Sequence, residues 1–174
     1  MNNQDLNFLD AIRMAMEAEQ KAAAFYDETA QKTANPLGRR LFEQLAGFEH
    51  YHYTKLAALE ESLCKDGACI MYEGKELSFP APDEVEKIKE ADKMSVMGII
   101  TMAMEIKSKA KERYAALAEQ TTDSDGQAMF DRLAEEEHTN HRILSAAYWS
   151  LNNRGVWAWS RQIAQGGEIA WQGS

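Results

Sequence analysis

Apolar residues recur at helical spacing along most of this chain. From about Asp5 to Thr33 the sequence is rich in Ala, Met, Glu, Gln and Lys and holds neither Gly nor Pro, which predicts a long helix. Asn35-Pro36 and Gly38 interrupt it. Periodicity then resumes from Leu37 to about Leu63 as a second helix, antiparallel to the first. Residues 64–94 break the pattern with Gly67, Gly74, Pro80 and Pro82 and are expected to form a crossover connection. Within it, Ile70 to Phe79 suits a short extended excursion, and Asp83 could cap a short helix through Ala91. A third helix is expected from Ser95 to about Gln120, and TTDSDG turns the chain into a fourth from about Gln127 to Leu151.

The two halves repeat. Glu17 and Glu105, Tyr26 and Tyr114, Phe42 and Phe130, Leu45 and Leu133, Glu49 and Glu137, His50 and His138, and Leu56 and Leu144 are each 88 positions apart, with no gap needed. Two equal helical hairpins joined by a long crossover predict an all-α, ferritin-like four-helix bundle spanning residues 1–151, with internal pseudo-twofold symmetry.

Polar residues interrupt the apolar seams at one level. In the second helix Phe42, Leu45, Glu49, His52, Leu56 and Leu59 follow steps of three and four, and in the fourth Phe130, Leu133, Glu137, Asn140, Leu144 and Ala147 do the same. Glu19 lies a heptad from both Ile12 and Tyr26, and Lys107 a heptad from both Ile100 and Tyr114. Ionised groups in a bundle core are costly unless they are paired or bound to a metal. A Glu on one helix with a Glu-x-x-His on its partner is the ligand pattern of carboxylate-bridged metal bundles, and Glu19 with Glu49 and His52 supplies it.

The stretches AEQKAAAFY and LFEQLAGFEHYH resemble the first two helices of the rubrerythrin family of ferritin-like di-iron proteins, and the resemblance extends over roughly residues 5–151. It implies non-haem iron that reacts with peroxide or dioxygen. The rubredoxin-like electron-transfer domain of full rubrerythrins is not expected, since the sequence has no pair of C-x-x-C motifs; electrons would come from an external donor.

The second half departs from the family at the ligand positions. Glu19 maps onto Lys107 and His52 onto Asn140, so Glu137 alone is retained. Two neighbours offer compensation. His141 shares a helix face with Glu137 at i+4, whereas Glu105 lies about 200° round the helix from Lys107 and would need a bulge to reach the centre. Charge counting favours another outcome. Glu19, Glu49 and Glu137 with Lys107 leave a net charge of about minus two, which one divalent ion neutralises, so Lys107 takes the place of a second metal. Two ions, or none with Lys107 and a protonated His52 satisfying the carboxylates, are the alternatives. Iron follows from the resemblance, and the His and carboxylate donors would also accept zinc or manganese. Tyr26 and Tyr114 suit hydrogen bonds to ligand carboxylates, with simple capping of the core as the alternative. His50 and His138, one step off the seam, suit the surface or an interface.

Composition narrows the partners. With 19 Lys and Arg against 28 Asp and Glu, the chain lacks the basic footprint of a nucleic-acid or anionic-membrane binder. No run is long and apolar enough to span a bilayer and the N-terminus has no export signal, so a cytoplasmic protein is expected. Cys64 and Cys69, in CKDGAC, suit reduced thiols, with a local disulfide as the alternative. Met94, Met97, Met102 and Met104 suit core filling. Trp149, Trp157, Trp159 and Trp171 crowd the C-terminal end, and the tail of residues 152–174 is expected to fold onto the bundle or a second subunit, a homodimer being the preferred arrangement. Three classes of function follow: a peroxide-reducing or iron-oxidising metalloenzyme, a non-catalytic metal-binding protein, and a metal-free interaction module.

Overall fold

The computed structural model describes residues 3–75, 77–79 and 86–160. Four long helices carry the fold: α1 (Asn3–Lys32), α2 (Pro36–Asp66), α3 (Glu90–Gln120) and α4 (Ser124–Arg154). They pair as hairpins, α1 with α2 and α3 with α4, and the hairpins also meet where α1 packs against α3. None of these helices is long and apolar enough to cross a membrane.

The 88-residue repeat extends to the helix ends. Asn35 caps α2 by accepting a hydrogen bond from the Gly38 amide at 2.9 Å, and Asp123 caps α4 by accepting one from the Gly126 amide at 2.9 Å. Both helices end on a left-handed glycine, Gly67 and Gly155, each at φ 65° and each donating its amide to the carbonyl four residues back. Two residues later the chain turns onto the opposite hairpin. A Cβ on Gly38 would lie 2.6 Å from the Trp157 ring, and one on Gly126 2.5 Å from Cys69 Sγ. Cys69 and Trp157 are themselves 88 positions apart, so each hairpin sends the same point of its chain onto the first turn of the other's second helix.

The core is two apolar clusters related by the repeat. One gathers Tyr26, Leu41, Phe42, Leu45, Ile100 and Leu144 with Trp157 and Trp159; the other gathers Tyr114, Met129, Phe130, Leu133, Ile12 and Leu56. Between them lies a buried layer of Glu19, Glu49, His52, Lys107, Glu137 and Asn140, none more than 1% exposed. Trp157 meets Phe42 edge to face at 6.2 Å, which anchors the start of the C-terminal segment in the core. Residues 161–174, with Trp171, lie outside the described residues.

The crossover differs from expectation. Glu86–Lys87 (β1) pairs antiparallel with Val156–Trp157 (β2), in place of a short helix through Ala91, and α3 starts at Glu90 rather than Ser95. Asp83, the expected cap, lies outside the described residues. The strand forms because the chain leaving Gly155 returns alongside it, with the Ile88 amide bonded to the Gly155 carbonyl at 2.9 Å, a partner far away in sequence. The described residues from 68 to 79 form no regular strand, although Ile70 and Tyr72 pack against one apolar cluster and Leu77 and Phe79 against the other. Cys64 and Cys69 are free thiols.

Candidate metal centre

Heptad spacing turns one polar residue of each seam inward, and the bundle brings them to a single level. Glu19 comes from α1, Glu49 and His52 from α2, Lys107 from α3, and Glu137 and Asn140 from α4. One donor atom from each of Glu19, Glu49, His52 and Glu137 falls within a sphere of contact in which all lie within 4.8 Å of one another. His52 Nδ1 is 3.0 Å from Glu137 Oε1 and 3.6 Å from Glu19 Oε2. Lys107 Nζ contacts Glu49 Oε1 and lies 2.9 Å from Glu137 Oε2, so it bridges two of the carboxylates. Tyr114 donates to Glu19 Oε1 at 2.5 Å, and Arg113 approaches the same oxygen at 3.6 Å.

The tyrosines related by the repeat are used differently. Tyr114 reaches a carboxylate across the bundle, but the position it would mirror for Tyr26 holds Lys107, which accepts no hydrogen bond. Tyr26 instead donates to the Ala103 carbonyl at 3.4 Å and offers its ring face to the Lys107 ammonium, 5.5 Å from the centroid. The compensating ligands considered from the sequence are not brought in. Glu105 is exposed, because α3 runs through it without a bulge, and His141 is half-buried with Ser145 Oγ 3.5 Å from its Nδ1. Asn140 holds the inward position at i+3 from Glu137. His50 is at the surface, 2.9 Å from Asp27.

Burial and charge set the protonation of this layer. Burial pushes the Glu49 carboxyl well above its usual range, and the charges of Glu137 and Glu19 add to this against the opposing pull of Lys107. Burial also works against the charge on Glu19, but hydrogen bonds with His52 and Glu49 and the positive charges of His52 and Lys107 overcome it and bring its pKa down to about 2. Burial likewise opposes charge on His52 and Lys107, yet the surrounding carboxylates raise both well above their ordinary values. Lys107 and His52 are thus held toward their charged forms, and Glu49 toward its neutral one.

A divalent cation fits this arrangement. Glu19 Oε2 and Glu137 Oε1 both face His52 Nδ1, at 3.6 and 3.0 Å, in a fully buried setting where one imidazole nitrogen serves two carboxylates, while Glu137 Oε2 faces Lys107. Buried polar atoms placed in this way call for a shared partner. An ion held by Glu19, Glu49, His52 and Glu137 would compete with the protons that the raised pKa values favour on Glu49 and His52.

The rubrerythrin family model matches residues 2–60, which carry Glu19, Glu49 and His52. Match and bundle together fit a ferritin-like, rubrerythrin-type protein. Among solved structures, a hypothetical protein from Pyrococcus furiosus is similar at 26% identity and a TM-score of 0.66, over 84% of this chain and 90% of that one. Comparison with curated proteins returns no match. The family match ends within α2, so the half of the bundle that carries Lys107 and Asn140 lies beyond it.

Three participants escaped the sequence reading: Glu136, 3.0 Å from His52 Nε2; Tyr72, which donates to Glu136 at 2.7 Å; and Arg113 beside Glu19. The signal for Glu136 lies in the repeat. Its counterpart 88 positions earlier is Phe48, and a carboxylate standing where the other half has a core aromatic needs a partner.

Proposed function

We propose that this chain binds one divalent metal ion, iron in the first place, through Glu19, Glu49, His52 and Glu137, and that it serves in oxidative-stress chemistry with peroxide. The observation that carries this reading is Lys107. A lysine in place of a glutamate changes local charge by two units, the charge of one divalent ion, and its ammonium lies against Glu49 and Glu137. Bound iron would supply one-electron chemistry toward peroxide. The protein's part is to hold and orient the donors. Tyr114 fixes one Glu19 oxygen so that the other faces His52, Lys107 restrains Glu49 and Glu137, and the two apolar clusters on either side exclude bulk water. Two cysteines cannot supply a four-thiolate iron centre, so electrons would reach the site from a donor outside these 174 residues.

The same contacts support a second reading, a metal-free module in which Lys107 and protonated His52 neutralise the carboxylates permanently. Anaerobic loading of metal-free protein with ferrous iron separates the two. About one ion per chain, followed by consumption of added peroxide by the ferrous protein, is the expected result. No uptake establishes the module, and two tightly held ions would refute the stand-in role of Lys107.

A further inference from the structure

Glu136 precedes Glu137 by one residue and so projects about 100° away from it round α4. It is 6% exposed, and four groups converge on its carboxylate. His52 Nε2 lies 3.0 Å from Oε2, which also accepts from the Tyr72 hydroxyl at 2.7 Å; Oε1 accepts from the Lys75 backbone amide at 3.2 Å and from Arg132 Nε at 3.3 Å. Two of these donors, Tyr72 and Lys75, belong to the crossover. Between them stands Gly74, where a Cβ would lie 2.3 Å from Glu136 Oε1 and 2.9 Å from Arg132 Nε. Gly74 has no positive φ, so glycine is required there by space and not by backbone conformation.

We infer that Glu136 is a positioning residue for His52, held in place by the crossover segment from Tyr72 to Lys75. Glu136 holds Nε2, so the ring presents Nδ1 to Glu19 and Glu137, the face where the other donors gather. A carboxylate on the outer ring nitrogen fixes the orientation of an imidazole and raises its basicity as a ligand. The asymmetry of the halves fits this role. Phe48, the counterpart of Glu136, belongs with Asn140, the counterpart of His52, so the orienting carboxylate is present only for the histidine that the bundle retains. The crossover is thereby more than a tether: its path past Gly74 sets the aim of a core side chain.

The consequence for metal binding rests on the proposed function, but the positioning itself is measurable without metal. In proton–nitrogen NMR spectra of the metal-free protein, His52 Nε2–H should appear as a downfield, slowly exchanging proton. It should persist in Glu136→Gln, whose amide oxygen still accepts, and vanish in Glu136→Leu and Gly74→Ala, with helical circular dichroism confirming a folded bundle. Zinc, used as a diamagnetic probe, should bind about 10–100-fold more weakly to Glu136→Leu and Gly74→Ala than to wild type. Should Glu136→Leu fail to fold, Gly74→Ala, which removes no side chain of the site and only crowds the Glu136 carboxylate, carries the test. Absence of the protected proton in wild type, or its persistence together with unchanged zinc affinity in the variants, overturns the inference. A wild type that shows the proton but takes up no zinc upholds the positioning and defeats the metal site instead.

Discussion

The two hairpins share a backbone plan down to their caps, yet their contributions to the central layer are opposite in kind. The first hairpin supplies Glu19, Glu49 and His52, a carboxylate-rich set suited to a cation. The second supplies Lys107, Glu137 and Asn140, a set that brings its own cation. Apolar positions, capping residues and the glycines under Cys69 and Trp157 all obey the repeat, so the scaffold tolerates inversion of charge at its centre as long as the charges cancel. Fold and site chemistry are thus separable here. Symmetry in packing comes with asymmetry in electrostatics.

The comparison breaks most completely if the ligands of the first hairpin are removed. Glu49→Ala or His52→Ala should abolish metal binding in an equilibrium titration, because each supplies a central donor with no neighbour able to replace it, whereas Glu43→Ala should bind as wild type. Unchanged affinity in both central variants would move the site elsewhere. Next in size is the loss of the built-in cation. Lys107→Met leaves Glu49 and Glu137 without their ammonium in a fully buried setting, and urea denaturation of the metal-free protein should show a loss of about 3–5 kcal/mol. A loss below about 1 kcal/mol would mean that Lys107 contributes little to the balance of the layer.

Protons sharpen the same contrast, since both groups that must release one, Glu49 and His52, sit on α2. Their pKa values are raised, so each holds its proton more tightly than a free side chain does, and any proton held must be given up when an ion binds. Metal affinity should therefore increase with pH, by up to about 100-fold per unit while both remain protonated in the free protein. A pH-independent affinity would show that the layer is deprotonated before the ion arrives.

How much of this was legible from residues alone depends on distance along the chain. The seams, the repeat and the four central donors follow from heptad spacing, and Lys107 and Asn140 stand out because the other half supplies the comparison. Glu136 was missed because its partner, His52, is 84 positions away and its clamp comes from an irregular stretch without periodicity. The early start of α3 was missed because Lys89, its N-cap residue, makes no side-chain capping bond. Cys69 and Trp157 differ so much in size that only their packing on Gly126 and Gly38 exposes them as counterparts.

The smallest expected effect compares the two tyrosines. Tyr114→Phe removes a buried hydrogen bond to a charged carboxylate and should cost about 1.5–3 kcal/mol, whereas Tyr26→Phe removes only a long bond to a carbonyl and should cost less than about 1 kcal/mol. Equal losses in thermal or urea unfolding would mean that the halves are electrostatically more alike than their contacts indicate.

The most direct test of the account converts the second hairpin into a copy of the first. Iron per chain should be counted after anaerobic loading of wild type, Lys107→Glu, and the double variant Lys107→Glu with Asn140→His. Wild type should hold about one ion; Lys107→Glu should admit a second weakly; and the double variant, with both hairpins carrying Glu and Glu-x-x-His, should hold two. The same count in all three would contradict the claim that the Lys107 ammonium stands where a second metal would otherwise bind.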